Sequence, residues 1–406
     1  MPSSAPPSED VGFSLTLLEG SSQFFPALIA SLDSARYTVH LETYIFDLTA
    51  SGTDIAGALE RAAQRGVDVR LMVDGFGTPQ WPDEWALRFK TAGVQILVFE
   101  PIVTLGFFMP SQWRRLHRKL CVVDGEIAFC GGVNVLDDFY DPNYGDLTAP
   151  RFDFCVRVTG ILALTIHAVT GHLWERMSSG SFNKLGASHR VLSAIDFLTN
   201  QPNRHRFKKK TINALQPKAY LVLRDNLSHR TEIERAYLKA IGESRQEIII
   251  ANAYFLPGAK LRKALILAAN RGVKVRLLLQ GKYEYFMQYH AARPVYGSLL
   301  AAGIEIHEYE PSYLHAKVAV IDQIWATVGS SNLDPLSLLL AREANIVVHD
   351  ANFANSLRER LLQAMLNEGQ RLDPEQFAHR PLLQRLRDRI AYGLMRLGLW
   401  IFGKQY

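Results

Sequence analysis

Residues 114–124 read RRLHRKLCVVD, and residues 312–322 read SYLHAKVAVID. Each contains His, one residue, Lys, four residues, Asp. The skeleton places His117, Lys119 and Asp124 in one half of the chain and His315, Lys317 and Asp322 in the other. Flanking blocks match as well. AAQRGVDVRLMVDG (62–75) matches AANRGVKVRLLLQG (268–281), TAGVQILVFEP (91–101) matches AAGIEIHEYEP (301–311), and YTVHLETYIF (37–46) parallels EIIIANAYFL (247–256). A Gly-x-x-Asn follows each skeleton at equal spacing, in CGGVNVLD (130–137) and VGSSNLDP (328–335). The blocks keep one order in both halves, so the chain carries an internal duplication of an α/β unit rather than a short-period solenoid.

The unit alternates β-rich runs with helical ones. We therefore expect an α/β protein of two pseudo-symmetric lobes, each a mixed, largely parallel sheet flanked by helices. The lobes are expected over 13–174 and 219–370. Residues 1–12 read as a disordered N-terminus and 175–218 as a basic, mobile connection containing RHRFKKK (204–210). Residues 371–406 read as an amphipathic, membrane-interface C-terminal helix. On a strand, His117 and Lys119 share a face because the side-chain period is two, and so do His315 and Lys317. The apolar runs 120–123 and 318–321 bury those strands. If the lobes pack about a pseudo-twofold axis, two imidazoles and two ammonium groups converge.

Displacement at a phosphodiester uses such a set. One imidazole attacks phosphorus and holds it as phosphohistidine. The other protonates the leaving alkoxide and then deprotonates the incoming alcohol or water. The lysines stabilise charge on the non-bridging oxygens, so neither a metal nor a cofactor is expected. An acid bonded to each ring would set its tautomer. The net charge of +5 in 406 residues suits an anionic partner without choosing among nucleic acid, an acidic membrane and a phosphorylated substrate. Three sparse cysteines (Cys121, Cys130, Cys155) read as reduced, buried thiols.

With these residues in place the chain resembles the phospholipase D superfamily, whose members carry two HxKxxxxD motifs followed by Gly-Ser-x-Asn. The second half matches fully: His315, Lys317, Asp322, Gly329, Ser330, Asn332. The first has Gly132 where the family serine stands, beside Gly131 and Asn134. By the family pattern, acids at the starts of the following strands, Asp153 and Glu343, orient the histidines. Within the superfamily the chain is most similar to bacterial cardiolipin synthases of the short, B type. Stretches such as LRDNLSHRTEIERAYLKAI (223–241) and WATVGSSNLDPLSL carry that likeness.

The resemblance implies two phosphatidylglycerols joined to give cardiolipin and glycerol, with His117 as nucleophile and His315 as acid/base. Phosphatidylethanolamine or glycerol as second substrate, and hydrolysis by water, remain open alternatives. A nuclease is disfavoured by the apolar C-terminal helix and the lack of a basic groove with interleaved aromatics. A non-catalytic lipid-binding protein is disfavoured by the intact His and Lys pairs. Asp124 and Asp322 stand at strand ends, where bracing backbone competes with direct chemistry, and Asn134 and Asn332 either line the phosphate site or shape turns.

The N-terminus lacks a signal-peptide pattern, and no stretch reaches spanning length. A peripheral protein on the cytoplasmic side of a bacterial inner membrane is therefore expected, with an anionic membrane surface as partner and no nucleic acid. LGFFMPSQWRR (105–115) reads either as core plus turn or as an interfacial lip over the site. Leu382, Leu386, Ile390, Leu394, Leu397 and Ile401 recur at helical spacing among Arg385, Arg387, Arg389 and Arg396. That pattern suits either a helix packed on a core or one lying in a membrane surface.

Overall fold

A computed structural model describes residues 13–78, 80–101, 114–142, 144–179, 218–225, 229–283, 286–334 and 341–401. The N-terminal tail, most of the basic connection with its RHRFKKK run, and most of the 105–115 stretch lie outside the described residues.

The first lobe runs β1 (Leu15–Glu19), α1 (Gly20–Ser34), β2 (Thr38–Thr43), α2 (Gly52–Gln64), β3 (Asp68–Asp74), α3 (Asp83–Ala92) and β4 (Gln95–Phe99). It continues with β5 (Arg115–Leu116), β6 (Lys119–Val123), β7 (Ile127–Gly131), β8 (Tyr140–Asp141), β9 (Gly145–Asp146), β10 (Phe154–Thr159) and α4 (Ile161–Ser178). The second lobe repeats the plan with β11 (Ala219–Arg224), α5 (Glu232–Glu243), β12 (Glu247–Asn252), α6 (Ala259–Asn270), β13 (Lys274–Gln280), α7 (Phe286–Leu300) and β14 (Glu305–Tyr309). There follow β15 (Lys317–Ile321), β16 (Trp325–Gly329), β17 (Ala341–His349), α8 (Ala351–Asn367), β18 (Gly369–Arg371), α9 (Pro374–Ala378) and α10 (Leu382–Ile401).

Sheet order is β1-β10-β7-β6-β2-β3-β4 in one lobe and β11-β17-β16-β15-β12-β13-β14-β18 in the other. The duplication is thus carried into topology over seven strands, with β18 added at the edge of the second sheet. The sheets are mixed: within each lobe the β2-β3-β4 and β12-β13-β14 wings are parallel and the other described strand pairings are antiparallel. The motif-bearing wings are antiparallel, which corrects the largely parallel expectation. The reason is local: β6 and β7 are joined by a turn, not a crossover helix. Asp124 and Gly125 both have positive φ (53° and 70°), and the Glu126 N–H donates to Val123 O at 3.0 Å. That is the hairpin geometry for which Asp-Gly is well suited. Asp322 and Gln323 repeat it at φ 51° and 59°.

The motif strands are buried on both faces. Leu120 and Val122 enter a core shared by both lobes, together with Val318, Val320, Ile249 and Ile346. Cys121 and Val123 point the other way into the first lobe's own core. Ala319 and Ile321 do the same in the second. Burying each such Val or Leu stabilises by roughly 1.5–3 kcal/mol, so the strands that lead out of the site are anchored in the core. All three cysteines are buried and free, and burial pushes their thiols well above the ordinary range. Among the described residues no helix is long and apolar enough to cross a membrane.

Candidate active site

The histidines do not sit on β6 and β15 but in the two-residue links just before them, and there the lobes trade backbone. β5 pairs in parallel with β17 of the other lobe, and Phe152 bridges to Leu314 in the reciprocal place. The His117 N–H donates to Arg342 O at 3.0 Å, and the His315 N–H donates to Phe152 O at 2.9 Å. Each histidine is thereby stitched to the strand of the opposite lobe that carries an acid.

The side chains complete the exchange. His117 Nδ1 lies 3.0 Å from the Glu343 carboxylate, and His315 Nδ1 lies 2.6 Å from Asp153 Oδ2. Both acids are buried, at 0% and 3% side-chain exposure, while the rings keep 16% and 23%. Each ring gives Nδ1–H to a carboxylate held in the other lobe, which leaves Nε2 as the reactive nitrogen. Spacing alone indicated the acids but not that the pairing crosses between lobes. Lys119 Nζ donates to His117 O at 2.7 Å, and Lys317 Nζ donates to His315 O. Tyr44 packs on this set, 5.1 Å from the His117 ring and 5.5 Å from Lys119 Nζ.

Electrostatics show that the four groups share one space. Burial, then the charges of Lys317, Lys119 and His117, holds His315 well below its ordinary pKa. Burial also lowers His117, with Glu343 opposing. Lys119 is pushed down to about 7, mainly by burial. Burial lifts Asp153 to about 7 against the pull of Lys317. The unliganded site therefore holds neutral imidazoles, the form a nucleophile needs. A phosphodiester placed among them would add negative charge and so raise the proton affinity of both rings.

Gly132 has a steric reason. A Cβ there would lie 2.3 Å from Asp153 Oδ1 and 2.6 Å from Oδ2. The carboxylate of the shorter acid occupies the space the family serine would need. In the second lobe Ser330 is accommodated, and its hydroxyl donates to Glu343 Oε2.

Asp124 and Asp322 are brought to the strand ends rather than to the rings. Asp124 accepts from the N–H groups of Arg36, Tyr37 and Thr38 at 2.8–2.9 Å. Asp322 accepts from those of Arg245, Gln246 and Glu247 at 2.8–3.0 Å. These bonds make Thr38 equivalent to Glu247, one residue out of the pairing that the strand sequences suggested. Asp124→Ala should therefore lower stability by about 1–3 kcal/mol through three unmade amide bonds and a strained left-handed turn. Denaturant unfolding measures it; full stability with lost turnover would return Asp124 to the chemistry.

Asn134 Oδ1 accepts from the Ile45 N–H at 3.2 Å, whereas Asn332 is buried with Oδ1 unpaired among the described residues. Sequence reasoning missed two positioning residues. Asp74 Oδ2 accepts from the Leu116 N–H at 2.7 Å, and Gln280 Oε1 accepts from the Leu314 N–H at 3.1 Å. They anchor the residue before each histidine. Their signal was present: both stand before the last Gly of the matched RLMVDG and RLLLQG blocks.

Two half-sites, each completed by an acid of the other lobe, are in keeping with the resemblance to the phospholipase D superfamily. Comparison with known proteins agrees. The family model described as "Cardiolipin synthase, PLD-like domain" matches residues 28–145 and 237–365. The chain belongs to this cardiolipin synthase family of the phospholipase D superfamily. Cardiolipin synthase B of Escherichia coli is 34% identical over 95% of this chain and 88% of its own length. The Salmonella typhi cardiolipin synthase B has the same identity and coverage. Among solved structures, phosphatidylserine synthase of Haemophilus influenzae shares the fold at TM-score 0.66 and 12% identity, over 95% of this chain and 93% of that one.

Proposed function

We propose that this site joins two phosphatidylglycerols into cardiolipin and glycerol at an anionic membrane surface, peripherally, on the cytoplasmic side of a bacterial inner membrane. His117 Nε2 attacks phosphorus, following the family order. The bond from phosphorus to the headgroup glycerol oxygen breaks, and His315 delivers the proton that this oxygen takes. The terminal hydroxyl of a second phosphatidylglycerol then gives its proton to His315 and attacks phosphorus. The P–N bond breaks, and His117 is restored. One phosphodiester replaces another, so no external energy source enters. Lys119 and Lys317 stabilise the non-bridging oxygens. Asp153 and Glu343 hold the rings, Ser330 steadies Glu343, Asn134 and Asn332 shape the phosphate pocket, and Asp124 and Asp322 brace the turns.

The observation that carries this reading is the reciprocal bonding of each imidazole to an acid of the opposite lobe. It supplies two rings of fixed tautomer and, with the lysines, a cationic floor. The test uses vesicles of phosphatidylglycerol alone, with a chelator present and products read by mass spectrometry. Cardiolipin plus glycerol is expected. Phosphatidic acid instead would mean that water is the acceptor.

Binding of a small phosphodiester, such as dimethyl phosphate, should depend on pH through Lys119. This lysine is lowered to about 7, so it is charged below that pH and neutral above it. Affinity should fall as pH rises through 7, by up to about tenfold per pH unit. Lys119→Arg should flatten the curve, and a wild-type affinity unchanged from pH 6 to 9 would contradict the assignment.

A further inference from the structure

The leucine stripe of α10 faces away from the protein. Leu382, Leu383, Leu386, Ile390, Leu394 and Leu397 are between 51% and 79% exposed. The side turned inward, against α7, is built from Asp388 and Ala391, which are buried, with Tyr392 and Met395 partly so. Asp388 accepts from His290 at 2.8 Å and from Arg380 at 3.1 Å. It is the sole acid of the helix, so the helix meets solvent with leucines and with the exposed Arg387, Arg389 and Arg396, and with no negative charge. An ordinary surface helix presents the opposite arrangement.

The exposed face continues onto Phe286 at the start of α7. A groove of about 340 Å³ between α7 and α10 is lined by Phe286, Leu383, Leu386, Ile390 and Leu394. Phe286 and Tyr283 are 48% and 51% exposed. The Tyr283 ring lies 6.1 Å from the ring of His290, the residue that fixes Asp388. Its neighbour Lys282 lies over the Tyr313 ring at 5.9 Å, two residues before His315. These ring and cation contacts run from α10 to Tyr313, two residues from His315.

We propose that α10 is the membrane-docking element. Its outward leucines insert among acyl chains, its arginines meet anionic headgroups, and the Asp388–His290–Arg380 contacts hold it leucines-outward beside the site. The choice of a lipid surface over another occupant rests on the phospholipid-substrate reading above and on the charge of the face. Apolar insertion combined with cationic attraction is how in-plane helices bind acidic membranes.

The test is flotation of the full chain with vesicles of phosphatidylglycerol and phosphatidylcholine, for wild type and for Leu386→Ser/Ile390→Ser/Leu394→Ser. All three positions are exposed, so folding should be unaffected, and circular dichroism checks it. The triple variant should lose vesicle binding by at least about a hundredfold. Arg387→Glu/Arg389→Glu should lose it selectively for vesicles rich in phosphatidylglycerol. Both variants should keep transfer activity on short-chain phosphatidylglycerol dispersed as monomers. Unchanged flotation of the triple variant overturns the proposal. So does a wild-type dimer in sedimentation that the same substitutions dissociate, which would make the stripe a subunit interface. Loss of flotation in a chain that turns over no phosphatidylglycerol would leave the docking role standing and remove the substrate reading instead.

Discussion

His117→Asn and His315→Asn should each lower phosphatidyl transfer by at least about ten-thousandfold, because each deletes a covalent or proton-transfer role that nothing nearby replaces. Asn is the informative choice. Its amide N–H can still donate to Glu343 or Asp153, so no buried carboxylate is left unpaired and the fold should persist. The two variants should differ when the substrate carries a leaving group acidic enough to depart unprotonated. With His117 intact and His315 replaced, the enzyme should form its phosphatidyl adduct once and stall, with the adduct on the peptide containing residue 117. With His117 replaced, no adduct should form. Substantial turnover by either variant would sink the two-histidine mechanism, and an adduct on residue 315 alone would reverse the roles.

Gly132→Ser is the second substitution expected to have a large effect, though residue 132 touches no substrate. The new Cβ would lie 2.3 Å from Asp153 Oδ1 and 2.6 Å from Oδ2, so the carboxylate must move. Asp153 then loses its 2.6 Å bond to His315, and the ring loses the partner that sets its tautomer. Displacing an orienting partner of this kind costs typically ten- to a hundredfold, and a misplaced acid/base adds to that, so a loss of about a hundredfold in kcat is expected. KM for phosphatidylglycerol should change little. The control copies the other lobe: Gly132→Ser/Asp153→Glu rebuilds the Ser330–Glu343 arrangement and should recover much of the rate. A single variant with wild-type kcat and pH profile would show that Asp153 does not position His315.

The repeated skeleton made the two-lobed plan legible, because only a duplicated unit places identical spacings in the same order twice. His117, Lys119, His315 and Lys317 were legible for the same reason. The crossing of Asp153 to His315 and of Glu343 to His117 was not, since spacing within a lobe does not say which lobe an acid serves. Sheet direction was misread although the signal was present: Asp124–Gly125 is a hairpin dipeptide, and hairpins make antiparallel neighbours. The period of the α10 stripe was legible, but periodicity is silent about which way a stripe faces. That was decided by Asp388, an acid within the helix that has its partners inside. Asp74 and Gln280 escaped notice because buried polar residues at strand ends resemble ordinary terminators until the amide they hold is seen.

The exchange of acids between lobes has a consequence for inheritance. The environment of His315 is encoded in the first half of the gene, through Gly132 and Asp153, and that of His117 in the second, through Ser330 and Glu343. A point change in one half therefore retunes the ring contributed by the other. After an ancestral unit was doubled, its copies could drift apart in their acids and neighbouring small residues while both histidine motifs stayed the same. Two identical motifs could in this way acquire unequal tasks. Recombination that replaced a single lobe would disturb both rings at once, so the halves are bound to change as a pair.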